Sequence, residues 1–324
     1  MTHVSTRPAQ PAGPAVAGRA MSVFAAAPHS TDLPAGHYVR AVEDVARWSE
    51  RHGCQGLLIG AGHRLVDGWA VAGAVVAATD RLSPLVMVQP TYLHPYAVAR
   101  MVVAFGHLYH RRVGLYLAAD GLRREARALG DHTPRDRRYD HLVEFGRIIK
   151  RLLNGDRVSI EGAFYTLRGL ELSPPLEPTL MPDMLLSGDD DGAVEAALQL
   201  DATCIGYPEG PGIEPVVRLD ARVTAGVRVG IIAREDADLA WSIALRRFPP
   251  DRRTSHDGPY WLVPFEHYRT SCPYLVGSYD QIVVELLRYL RAEVRTYLLD
   301  VPADEEDLYH TRVVFERAAG ALQP

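Results

Sequence analysis

Gly56-Leu-Leu-Ile-Gly60, then Asp67-Gly-Trp-Ala-Val-Ala-Gly-Ala-Val-Val-Ala-Ala-Thr79, then Leu85-Val-Met-Val-Gln89 is the stretch that decides the fold. A short apolar run of strand length gives way to a segment of helical length, and a second short run rich in β-branched residues follows. Asp67 stands where a helix N-cap belongs. The same unit recurs in both directions. Upstream, 22–26 reads as a strand before a helix over 38–52, which lines up Val39, Val42, Val45 and Ala46 on one stripe and stops at Gly53. Downstream, a helix over 96–109 follows Pro95, and a strand over 113–117 precedes a helix over 135–153. Strands are predicted again at 183–186, 203–206, 227–233 and 296–299, with helices over 192–200, 236–248, 279–291 and 305–319.

Eight strand units in one unbroken run argue for a parallel sheet, and eight in about 300 residues is the arithmetic of a (β/α)8 TIM barrel with insertions. A doubly wound open sheet is the competitor, but no strand is followed by the G-x-G-x-x-G turn that such a dinucleotide-binding sheet requires. Two stretches fall outside the repeat. Residues 157–168 form two alternating runs around Gly162, a hairpin insertion, and 249–273 is a Pro-rich loop insertion. Residues 1–20 lack any apolar period and read as a disordered tail, leaving 21–324 as a single barrel domain.

Composition narrows the function classes. The chain has 324 residues, 47% hydrophobic and 23% charged, the profile of a soluble globular protein. No window approaches the ~18 apolar residues of a membrane span. A formal net charge of −5 gives no basic footprint for nucleic acid or anionic lipid. The three cysteines, Cys54, Cys204 and Cys272, are too scattered for a disulfide framework or a closed zinc site, which suits a reducing, cytoplasmic setting. Lys150 is the only lysine, a bias expected of a GC-rich genome.

In a barrel, chemistry sits at the carboxyl ends of the strands. The residues expected there are His63 and Arg64 after the second strand, Gln89, Tyr92 and His94 after the third, and Ala118 to Asp120 after the fourth. Ser187-Gly-Asp-Asp-Asp191, Tyr207 with Glu209, Arg234 with Glu235, and Asp300 follow the later strands. Asp67 is most simply a cap, and His94 a loop residue before Pro95. His63 and Arg64 face the mouth. Ser187-Gly188 resembles an anion-binding turn, where helix-start N–H groups hold phosphate, yet three aspartates follow. The segment 133–139 offers Arg137, Arg138 and Tyr139 as guanidinium and phenol donors. No histidine and carboxylate spacing makes a metal site, and the G-x-S-x-G nucleophile motif is absent.

Leu65-Val-Asp-Gly-Trp69, Arg137-Arg-Tyr-Asp140 through Ile148 to Leu153, Ile160-Glu-Gly-Ala-Phe-Tyr165, Val229 to Asp236, Tyr274 to Tyr279 and Thr296-Tyr-Leu-Leu-Asp300 carry a resemblance in their order and spacing. The chain resembles the luciferase-like flavin-dependent monooxygenases, on their alkanesulfonate monooxygenase side. The resemblance implies a barrel, usually dimeric, that takes reduced FMN from a separate flavin reductase and uses O2 to oxygenate a small-molecule substrate. By matching positions it implies that Arg138 and Tyr139 contact the FMN phosphate, with Ser187, Gly188, Asp189 and Asp190 as the rest of the cofactor site. It places Arg228 near the substrate, so the catalytic candidates are His63, His94 and Arg228.

The departures from the family pattern are specific. The family's Gly-Ser-Ser phosphate turn is Gly188-Asp189-Asp190 here, and its strand-four Asn-x-Val-Thr-Gly is Leu115-Tyr-Leu-Ala118-Ala119. The active-site Cys and strand-seven His of the alkanesulfonate enzymes fall on Leu65 and Gly230, which argues against sulfonate cleavage. The expected activity is therefore a biosynthetic flavin monooxygenase with weak FMN binding, working as a homodimer or with a paralogue. The alternative is a flavin-free supporting subunit that stabilises an active paralogue in a heterodimer.

Overall fold

The computed structural model describes residues 15–16, 19–119, 123–208, 223–249, 258–267 and 270–322. Eight parallel strands close into a barrel: β1 (Ser22–Ala26), β2 (Gly56–Ile59), β3 (Ser83–Val88), β4 (Gly114–Leu117), β5 (Met184–Ser187), β6 (Thr203–Gly206), β7 (Ala225–Arg228) and β8 (Thr296–Leu298). Each pairs with its neighbour in sequence, and Thr296 opposite Ser22 closes the ring. The outer helices are α1 (Ala35–Arg51), α2 (Gly68–Ala78), α3 (Pro95–Tyr109), α4 (Arg138–Leu153), α5 (Asp191–Leu200), α6 (Ala237–Arg247), α7 (Tyr279–Arg291) and α8 (Glu305–Gly320).

Alternation along each strand builds two apolar layers. Phe24, Ala26, Leu58, Leu85, Tyr116, Leu185, Ile205 and Leu298 fill the barrel interior. Their neighbours Ala25, Leu57, Val86, Leu115, Leu186, Cys204, Val227 and Tyr297 point outward into the helix layer. Both faces are buried, so the strands read as nearly continuous apolar runs. Gly56 lets β2 approach closely: a Cβ there would lie 2.3 Å from the Ser83 carbonyl oxygen and 2.8 Å from the Phe24 ring.

Asp67 caps α2 as expected, its Oδ1 accepting from Trp69 N at 3.0 Å and Ala70 N at 3.2 Å. The run read as one strand over 227–233 is two. The Val229 amide still donates to the Leu298 carbonyl of the barrel, but the next amide, Gly230, donates to Pro273. From there Gly230–Arg234 pairs in parallel with Tyr274–Ser278, which Tyr260–Trp261 flanks on its other side. Hydrophobicity runs unbroken through this exit because the second sheet has its own core of Ile232, Ala240, Ala244, Trp261, Tyr274 and Val276. A buried ion network ties that sheet to α8: Asp307 accepts from Arg234 at 3.1 Å and Arg247 at 2.9 Å.

Residues 158–170 form an antiparallel hairpin, Val158–Glu161 against Thr166–Leu170, with one register shift. In 249–273, the described part holds Tyr260–Trp261 and a helical turn, Val263–Glu266. Most of the tail 1–20 lies outside the described residues; within it Ala15–Val16 pairs with Arg19–Ala20. Among the described residues, no helix is long and apolar enough to cross a membrane.

Candidate active site

Interior-facing positions recur every second residue, so extending the inward set past the strand ends identifies what lines the mouth. Leu85 and Met87 lead to Gln89, Leu185 to Ser187, Ile205 to Tyr207, Leu298 to Asp300, and β7 ends on Arg228. Tyr116 stands beneath them in β4. These residues converge. Tyr116 is hydrogen-bonded to Ser187 and Arg228, and Tyr207 is also hydrogen-bonded to Arg228. Asp300 Oδ2 accepts from Tyr274 Oη at 3.0 Å, and Phe265 covers Tyr207 with ring centroids 5.0 Å apart.

Two polar atoms of this ring are buried without a hydrogen-bond partner among the described residues, Arg228 Nε and Gln89 Oε1. Burial works against the charge on Arg228, but Tyr116, Cys272, Tyr207 and Asp300 outweigh it and hold the guanidinium protonated. The burial that raises the Tyr116 and Tyr207 phenols keeps both neutral. A fixed cation with an unsatisfied donor therefore faces the mouth at β7, and an unsatisfied amide oxygen faces it at β3. Orphaned buried donors and acceptors are rare in folded proteins, and these two are placed to give a hydrogen bond to, or take one from, a bound molecule.

At the rim, two loops meet. His63 Nδ1 lies 2.6 Å from Glu125 Oε1, and the other oxygen of Glu125 accepts from Tyr92 Oη at 2.6 Å. Burial raises the Glu125 carboxyl, but the hydrogen bonds from Tyr92 and His63 outweigh it and hold it below its ordinary value. Burial and Glu125 push the Tyr92 phenol up to about 12. His94 is committed elsewhere: its Nδ1 accepts from Tyr96 N at 3.2 Å, capping α3. Its ring stands edge-on to Tyr165 of the hairpin at 5.5 Å. That hydrogen bond places the proton on Nε2, and burial lowers the pKa of the imidazole, so His94 is a donor and a wall rather than a base.

Around the β5–α5 turn, Tyr139 lies over the helix start. A Cβ on Gly188 would come 2.9 Å from Tyr139 Oη, and one on Gly192 would come 2.6 Å from its ring. Asp190 is the N-cap of α5, its Oδ1 accepting from Ala193 N at 2.8 Å. Asp189 Oδ2 accepts from Tyr207 N at 3.4 Å. Arg137 does not reach these carboxylates; it pairs with Asp140 at 2.8 Å and lies over Phe164. The charge of Arg138 is felt at Asp131 and His141.

The structure thus brings Tyr139, Ser187, Gly188, Asp189 and Asp190 together, and links Ser187 to Arg228 through Tyr116. His63 and His94 stand in separate rim clusters. Asp120 and Glu209 lie outside the described residues. Sequence reading passed over Tyr116 as a site residue and the partnership of His63 with Glu125. The inward alternation of β4 could have found the first; nothing local marks the second.

Known proteins share this architecture. The family model described as luciferase-like monooxygenase matches residues 20–289. The 4-(gamma-L-glutamylamino)butanoyl-[BtrI acyl-carrier protein] monooxygenase BtrO of Niallia circulans is 29% identical over 300 residues, 82% of this chain and 87% of that protein. EDTA monooxygenase EmoA from Chelativorans sp. BNC1 superposes with a TM-score of 0.67 at 13% identity, covering 94% of this chain and 95% of that one. An F420-dependent secondary alcohol dehydrogenase in complex with an F420-acetone adduct gives 0.66 at 18%, covering 94% and 99%. With a closed parallel barrel, a polar ring at its carboxyl end and a family match across most of its length, the chain belongs to the luciferase-like monooxygenase family.

Proposed function

We propose that the chain is the oxygenating component of a reduced-flavin- and O2-dependent monooxygenase in a biosynthetic pathway, acting on a small molecule that presents an anionic group to Arg228. One oxygen atom of O2 enters the substrate, the other leaves as water, and the two electrons come from reduced flavin delivered by a separate reductase. The observation that carries the substrate side is the half-buried Arg228 with its buried, orphaned Nε. A guanidinium held by Tyr116 and Tyr207 is pre-organised to pair with a carboxylate. BtrO supports the biosynthetic reading, and the glutamyl group in its substrate's name carries such a carboxylate. Leu65 and Gly230 leave no thiol or imidazole where the alkanesulfonate branch has them, which argues against an alkanesulfonate substrate.

The chain's own residues then divide the work. Arg228 and Gln89 orient the substrate, Phe265 over Tyr207 excludes water, and His63, held by Glu125, accepts or returns a proton at Nε2. FMN itself meets an obstacle. Its phosphate carries nearly two negative charges, and the turn that would seat it presents the carboxylates of Asp189 and Asp190. Each unit charge at ~4 Å costs about 1 kcal/mol even in a water-like dielectric, and about 4 near a protein surface. The phosphate group does not fit this turn.

That misfit favours a second reading, a supporting subunit that keeps the barrel and leaves cofactor chemistry to a paralogue. The two separate in one experiment. The purified chain is supplied with reduced flavin by a reductase under 18O2, with small carboxylic acids, their neutral amides and carrier-protein acyl thioesters as substrates. The oxygenase reading expects one labelled oxygen in a carboxylate-bearing substrate, and a KM about tenfold or more higher for Arg228→Met. No labelled product with any substrate, or equal turnover of acids and amides, removes it.

A further inference from the structure

The β5–α5 turn is occupied by groups of the chain itself. Asp190 places a carboxylate oxygen on the first-turn amide of Ala193, the position where a helix start otherwise offers N–H groups to an anion. The amide of Gly188 is spent on the Ile205 carbonyl at 3.0 Å, and the Ser187 hydroxyl is bonded to Tyr116. The amide of Tyr207 faces Asp189 at 3.4 Å. The Tyr139 ring fills the hollow that Gly188 and Gly192 leave, close enough that a Cβ at either glycine would collide with it. The neighbouring thiol reports the same negative field. Cys204, whose Sγ donates to the Gly188 carbonyl at 3.1 Å, is pushed up to about 12 by burial and then by Asp189 and Asp190.

From this arrangement we infer that the turn is closed to phosphate and that the chain takes a flavin lacking the terminal phosphate, of which riboflavin is the simplest. The inference rests on the flavin-dependent reading above. A flavin ending in a ribityl hydroxyl presents hydrogen-bond donors to Asp189 and Asp190, so the carboxylates that repel a phosphate accept from the shorter tail. The aspartates thereby act as selectors of the cofactor's tail rather than as a damaged phosphate seat.

The test is equilibrium binding of riboflavin and FMN, each oxidised and, under anaerobic conditions, reduced. It uses wild type and the Asp189→Asn/Asp190→Asn double variant. Asn is as good an N-cap as Asp, so the fold of α5 is retained while both charges go; circular dichroism and the melting temperature confirm it. Wild type is expected to bind riboflavin at least about tenfold more tightly than FMN. In the Asn double variant FMN gains about tenfold or more and riboflavin changes by less than about threefold. Wild type binding FMN as tightly as riboflavin or more so overturns the inference and leaves the flavin-dependent reading intact. Wild type binding neither flavin in either redox state overturns both, in favour of the supporting subunit. Equal gains for both flavins in the Asn variant also overturn it, because the carboxylates would then be acting on something other than the phosphate.

Discussion

His63 Nδ1 lies 2.6 Å from Glu125 Oε1 and so joins the loop after β2 to the segment after β4 across the rim of the barrel. With the carboxylate on Nδ1, the proton of the neutral imidazole sits there and Nε2 is left as the base. If the pair acts as a unit, His63→Gln and Glu125→Gln each lower kcat, the first by about 10²-fold. The double variant is then no worse than His63→Gln alone. The pH–rate profile is the discriminating readout: a structural latch would lower kcat without moving its acid limb. Losses that simply add, with an unmoved profile, reject the role.

The acid limb of the same link has a definite sign. The Glu125 carboxyl is held below its ordinary value in the folded state. Its contribution to stability is therefore complete above the ordinary carboxylate pKa of about 4.3 and is lost as pH falls through the lower folded value. Glu50 follows the same rule. It accepts from the amides of Asp80 at 3.2 Å, Arg81 at 2.5 Å and Leu82 at 2.9 Å. Burial raises its carboxyl, but these bonds and nearby Arg111 outweigh that and hold it below its ordinary value. Glu50→Gln is expected to cost about 1 kcal/mol at pH 7. Thermal melts of the two proteins converge as the pH drops below 4. A gap that persists unchanged at pH 3 contradicts this.

Arg228 tests whether the mouth is built for binding rather than for stability. Removing one charged partner from a buried cluster leaves the groups that faced it uncompensated and is destabilising. Arg228→Met, which leaves Tyr116, Tyr207 and Asp300 facing no cation, is therefore expected to cost about 1–3 kcal/mol of stability. Arg228→Lys instead keeps the charge and the fold and loses substrate affinity with the guanidinium fork. Asp307 is the more deeply buried case, 5% exposed. Its carboxylate serves Arg234, Arg247 and the Ala303 amide at once. Asp307→Ala leaves two guanidinium groups facing each other and is expected to cost about 3–5 kcal/mol in denaturant unfolding. A loss below 1 kcal/mol would show that water satisfies the arginines.

What the sequence made legible follows from how each signal arises. The barrel strands are short, buried on both faces and separated by helices with their own spacing, so each leaves a mark within a window of about ten residues. The exit at Gly230 left none, because Ile231 and Ile232 pass from one apolar core to another without a polar break. The site was legible where the chain places it next to a strand end, as with Ser187, Tyr207 and Asp300, whereas Arg228, inside the run read as one strand over 227–233, was reached only through the family resemblance. The site was illegible where two loops distant in sequence meet, as with His63 and Glu125. The aspartates were visible as charges, but that Asp190 spends its oxygen on Ala193 N is a fact of geometry alone.

Association is the last expectation, and it rests on α2. Trp69, Val71, Ala72, Val75 and Val76 turn inward from α2, yet its outer face carries almost no charge, and a Cβ at Gly73 would meet nothing within 4 Å. Beside it a cavity of about 440 Å³ runs between α1 and α2, lined by Tyr38, Val39, Val42, Val66 and Ala74 among others. Val39 and Val66, which line it, are 53% and 50% exposed. Apolar side chains grouped in this way mark interaction surfaces. A dimer burying this face, with a second copy or a paralogue, is the expected state. Gly73→Arg is the decisive variant, because it adds no clash within the protomer and replaces a poor helix former, a gain of about 0.8–1 kcal/mol in helix propensity. Sedimentation velocity at micromolar concentration is expected to show a wild-type dimer and a Gly73→Arg monomer that melts at no lower temperature when both are compared as isolated protomers. A wild-type monomer, alone and with a paralogue, or a Gly73→Arg dimer, places the interface elsewhere.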